Sequence, residues 1–87
     1  MSNSQLVEKN LKLSADFNSY VVQHPSIMRR MPESACIIFE SGTDAQLTRE
    51  NRKLAQEMNS KGKKCYIAKK KKGYWSLRPF AHVYAGR

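Results

Sequence analysis

The first apolar positions of the chain, Leu6, Leu13, Phe17, Tyr20 and His24, recur at helical spacing, and Val7, Leu11 and Val21 widen the stripe. Such a stripe marks one face of an amphipathic helix, predicted over 5–23. Ser2 followed three residues later by Gln5 is a candidate capping box, and the residue before Pro25 is driven out of helical geometry, which sets the other end. Pro25 suits the first turn of a short helix reaching Met31, and Pro32 closes it. Exposure of Ile27, Met28 and Met31 beside Arg29-Arg30 would make that segment a partner surface, whereas burial against the first strand would make it core.

The pattern then changes period. Ala35-Cys36-Ile37-Ile38-Phe39 is a short continuous apolar run between turn-forming residues, as expected of a strand covered on both faces. Leu47, Leu54, Ala55 and Met58 return to helical spacing, predicting a second helix over 44–60 with Thr43 and Gln46 as a capping box and Gly62 as the stop. A strand over 63–70 follows. Gly73 permits a turn into Tyr74-Trp75-Ser76-Leu77, a third strand that Pro79 ends. Strand, helix and strand in this order make a right-handed parallel crossover. The expected fold is a small two-layer α/β domain ordered α-β-α-β-β, with a mixed sheet and a C-terminal hairpin. Residues 1–78 form its single domain, and 79–87 are a tail or an edge strand.

Several residues along this pattern carry a resemblance. Asn10-x-x-Leu13, Phe17-x-x-Tyr20, His24-Pro25-x-Ile27, Pro32-x-x-Ala35-x-Ile37-Ile38-Phe39, Asn51-x-x-Leu54-Ala55 and Gly62-Lys63 together resemble a family of small uncharacterised prokaryotic α/β proteins, a domain of unknown function, over about 5–68. These are core and capping positions. The resemblance therefore implies the order of elements and carries over no catalytic or binding residue, and the chain departs from it after Lys69.

Composition adds little until charge is placed along the chain. The 87 residues are 40% hydrophobic, enough for one core, and no apolar run approaches the roughly 18 residues of a membrane span. The polar start Met1-Ser2-Asn3-Ser4-Gln5 is unlike a signal peptide, so a cytoplasmic protein that does not enter membranes is expected. Cys36 and Cys65 are expected to be buried free thiols, with a disulfide or a metal pair as the alternatives. The net charge is +9, yet residues 1–60 hold seven Lys/Arg and seven Asp/Glu, and all of the excess comes from the nine Lys/Arg after Ser60, where no acid occurs. One-sign charge speaks to partners and not to fold.

That segment holds Lys63, Lys64, Lys69, Lys70, Lys71, Lys72 and Arg78 interleaved with Tyr74 and Trp75. Lysines draw phosphate oxygens and release counterions, and exposed aromatics stack on unpaired bases, so these nine residues form the expected surface for RNA or single-stranded DNA. The structural alternative makes the lysines a solvated hairpin tip that guards a sheet edge, with Trp75, Leu77 and Tyr66 in the core. A second function class is a protein-interaction or assembly module that meets an acidic partner or a second copy of the chain as a homodimer. A third candidate is a small phosphate ligand held where Ser41-Gly42-Thr43 meets Lys69 and Lys70, although Glu40 and Asp44 flank that loop and a plain capped turn accounts for it. His24 suits a helix end, and His82 lacks an acidic neighbour. No metal-ligand, nucleophile or cofactor motif is present in the sequence, so nothing in it argues for an enzyme.

Overall fold

The computed structural model describes residues 2–29 and 31–80. Helix α1 spans Asn3–Gln23, a 3₁₀ turn Pro25–Met28, strand β1 Cys36–Ser41, helix α2 Ala45–Ser60, strand β2 Cys65–Lys71 and strand β3 Tyr74–Pro79. The sheet order is β1-β2-β3, with β1 parallel to β2 and β3 antiparallel to it. The order α-β-α-β-β, the crossover and the hairpin are those the sequence predicts.

Local chemistry sets the element ends. The Ser2 hydroxyl accepts from the Gln5 amide at 3.2 Å while the Gln5 side chain accepts from the Ser2 amide at 3.0 Å, completing the predicted capping box. At the far end, His24 Nδ1 lies 3.1 Å from the Tyr20 carbonyl and its ring stacks on Tyr20, a helix-end role. The box expected from Thr43 and Gln46 does not form. Asp44 is the N-cap of α2, its Oδ1 accepting from the Leu47 amide at 3.0 Å, because the chain enters the helix one residue later and Thr43 bonds back to Ser41 instead. Gly62, at φ 88°, ends α2: its amide reaches Asn59 O and the next amide reaches Met58 O, the paired bonds of a Schellman cap.

Alternation along the strands then sorts the core. Cys36, Ile38, Cys65 and Ile67 share one face and pack with Ala55 and Met58 of α2. Ile37, Phe39, Ala68, Trp75 and Leu77 share the other, under Leu13, Phe17, Tyr20 and Val21 of α1 and Ile27 and Met28 of the 3₁₀ turn. Each helix thus has its own face of the sheet, which refines the expected two layers into a helix, a sheet and a helix. Ile27 and Met28 are half-buried and pack against this core, as the burial alternative expects.

Cys36 and Cys65 are register partners at 4.6 Å between Cα atoms and form a disulfide. The expectation of free thiols is corrected. Separated by 29 residues, the two cysteines meet only because the crossover aligns the first residues of both strands.

The outer edge of β1 is closed by α2. Thr48 Oγ1 accepts from Ser41 N and donates to Ser41 O, each at 3.1 Å, and Asn51 donates to Phe39 O at 2.9 Å. Asn51, 2% exposed, also exchanges amide hydrogen bonds with Asn10 of α1, at 3.1 and 2.8 Å. This amide pair ties the two helices together around the strand, so the asparagines of the resemblance are structural. Among the described residues, no helix is long and apolar enough to cross a membrane.

Candidate nucleic-acid interface

The lysine run lies at the end of β2 and in the turn to β3, and the strand pleat divides it. Lys69 and Lys71 fall on the face that carries α2, and the register sets Ser76 and Tyr74 of β3 opposite them. Lys70 points to the α1 face and pairs with Asp16. Lys72 belongs to the two-residue turn, where Gly73 takes φ 81°, a left-handed value suited to glycine.

On the α2 side, the helix lies over β1 and reaches β2 only in part. Beyond it, β3 presents Tyr74, Ser76 and Arg78 at alternate positions, beside Lys69 and Lys71. Tyr74 is 49% exposed, and Lys71 and Arg78 are exposed. Arg52 of α2 borders the same area. Its Nε donates to Glu40 Oε2 at 2.7 Å, giving that fully buried carboxylate its counter-charge, and the residue also borders a hollow with Ile67, Arg78 and Phe80. Sequence reasoning passed over Arg52 because it lies in the neutral part of the chain. Its place on the helix turn above β1 was the available signal.

One predicted site residue and the extent of the predicted surface are corrected. Trp75 is 4% exposed and packs edge-on against Phe17 and Phe39, with ring centroids 5.2 and 5.9 Å away, so it is core and has no face for a base. The predicted single surface is also divided: Lys63 and Lys64 precede β2, near Pro32 and Ser34, a strand's length from Lys71, roughly 20 Å at ~3.3 Å per residue. They form a second basic patch, exposed like the first. Tyr66 is half-buried on the α1 face, as the structural alternative has it. His82 lies outside the described residues.

At the strand ends, Ser41-Gly42-Thr43 does stand beside the lysines, across a cleft of about 750 Å³ that Leu13 and Tyr74 also border. The α2 N-terminus behind it is already capped. Asp44 takes the Leu47 amide, and its Oδ2 accepts from Lys9 Nζ at 2.7 Å. The Lys9 hydrogen bond, with help from that amide, holds the Asp44 carboxyl below the usual carboxylate range. An anion placed there would meet this carboxylate, which favours the capped turn over a phosphate site. Among the described residues, no group of three or more His, Cys, Asp or Glu is arranged to hold a metal ion.

The arrangement sets cations along a sheet face beside one exposed aromatic ring. No curated protein and no solved structure matches the chain. A family match runs over residues 5–78, ten residues past the resemblance seen in the sequence, and takes in the lysine run and β3, which are thus part of the shared domain. The chain belongs to the family of unknown function DUF5647.

Proposed function

We propose that this is a non-enzymatic protein that binds single-stranded nucleic acid, RNA or DNA, on the sheet face left open beside α2. The observation that carries the reading is the exposed Tyr74 with Lys69, Lys71 and Arg78 on one face of two adjacent strands. A base can stack on the tyrosine ring while the three cations meet the phosphates on either side of it. Lys72 in the turn extends the row, Lys63 and Lys64 add a second point of attachment for a longer strand, and Lys70 contributes least because Asp16 neutralises it. Bases are reached on a flat, open surface, which favours unpaired strands over duplex, where bases are stacked away.

The test is a fluorescence anisotropy titration of a labelled single strand with the protein and with Arg78→Ala. The variant is expected to bind more weakly across all sequences, and its salt slope falls by about 0.7, the loss of one phosphate contact. Equal affinity and equal slope would remove β3 from the interface.

A further inference from the structure

The two edges of the sheet are treated differently. Side chains of α2 occupy the outward carbonyl of Phe39 and both outward groups of Ser41 on β1. On β3, the Phe80 amide donates to Cys65 O at 2.9 Å, and the antiparallel register then turns the backbone groups of Tyr74, Ser76 and Arg78 toward β2 and those of Trp75, Leu77 and Pro79 outward. Among the described residues, the outward amides of Trp75 and Leu77 make no hydrogen bond. Pro79 has no amide to leave open, so the unpaired stretch is short and ends at a defined point.

A strand laid along this edge would set its side chains alternately over two unlike surfaces. One set lies beside Tyr74, Ser76 and Arg78, in the field of Lys69 and Lys71. The other lies beside Leu77, where a hollow of about 490 Å³ opens between the 3₁₀ turn and the sheet, bordered by Ile27, Met31 and Tyr66 with Arg29 at its side. We propose that the free edge of β3 takes an extended peptide segment of another protein in which acidic and apolar residues alternate, by strand addition. The backbone supplies the pairing, the cationic face selects the acids, and the hollow selects the apolar residues. Charge decides against a second copy of this chain as occupant: pairing β3 with β3 would bring two chains of net charge +9 together with Arg78 in the seam and Lys69 and Lys71 of the neighbouring β2 beside it.

The experiment uses the full ¹⁵N-labelled chain, freed of nucleic acid by nuclease treatment and ion exchange. A short synthetic peptide alternating Glu and Val is added, with a Lys/Val peptide as control. Expected is a slowing of amide exchange at Trp75 and Leu77 by about tenfold or more with the acidic peptide alone, and weaker peptide binding by Arg78→Glu. Unchanged exchange at both amides would overturn the proposal, as would equal slowing by the Lys/Val peptide. Protection of both amides before any peptide is added would show the edge already taken and overturn it too. So would slowing by single-stranded RNA but not by the acidic peptide, which would assign the edge to nucleic acid.

Discussion

Adjacent residues at the start of β3 have opposite fates, and the difference is one step of the strand pleat. Tyr74 lies on the open face, whereas Trp75 closes an edge-on aromatic group with Phe17 and Phe39. Trp75→Ala should therefore lower unfolding stability by roughly 3–5 kcal/mol, since a large buried ring leaves a cavity. Tyr74→Ala should change stability by less than about 0.5 kcal/mol and weaken single-strand binding by about 1–3 kcal/mol. Chemical denaturation and anisotropy on the two variants check this, and the opposite pattern would reverse the assignment of the rings. Asp44 supplies a pH prediction. Its carboxyl titrates below the usual range because Lys9 and the Leu47 amide favour its charged form. The stability it adds is complete above its unfolded value of about 3.9 and is lost as pH falls through the lower folded value. Thermal midpoints of the protein and of Asp44→Asn should thus differ at pH 6 and converge below about pH 4. A difference that persists in acid would show that charge is not what Asp44 contributes.

The elements were legible in the chain because each follows from near neighbours. Stripe spacing, Gly62 and Gly73 locate the long helices and the turns within a residue or two, the short helix begun at Pro25 stops at Met28 and not at Met31, and Ser2 with Gln5 is a box readable over three positions. What escaped the sequence depends on contacts made across the fold. Asn10 and Asn51 are 41 residues apart and meet only when both helices flank β1. The N-cap falls on Asp44 and not on Thr43, which bonds back to Ser41, and the capping carboxylate pairs with Lys9 of the other helix. The same holds for the site: a basic run in sequence becomes two patches and one lysine, Lys70, turned to the α1 face and paired with Asp16, once strand length and pleat are applied. The disulfide is the clearest case. It ties the first residues of β1 and β2 and encloses the whole crossover, with 29 residues separating its cysteines. Chain-entropy arguments give such a loop roughly 3–4 kcal/mol of stabilisation. Adding a reductant should lower the denaturation midpoint accordingly while leaving far-UV helix content at low denaturant intact. An unchanged midpoint would mean that the bond does not constrain the unfolded chain in solution.

At the scale of the molecule, a neutral α-β-α body carries a one-sign strand pair on its open side. Residues 1–60 balance their charges, and several of the acids are used internally, Glu40 by Arg52, Asp16 by Lys70 and Asp44 by Lys9. The field that remains comes from Lys69, Lys71 and Lys72 toward the hairpin end of the β2–β3 pair, Arg78 opposite Ile67 farther along it, and Lys63 and Lys64 at the other end. A solvated hairpin tip would need the charge but not the exposed Tyr74 in its midst, nor the cations gathered on one face. The most direct test is to titrate labelled single-stranded RNA, single-stranded DNA and duplex DNA with the protein at two salt concentrations. Micromolar or tighter binding to the single strands, weaker binding to duplex, and log K falling by about 0.7 per phosphate contact for each decade of salt are the predicted results. An absence of binding even at roughly 50 mM salt, where phosphate contacts are strong, would contradict the nucleic-acid reading and leave the lysines as a solvated guard on the sheet.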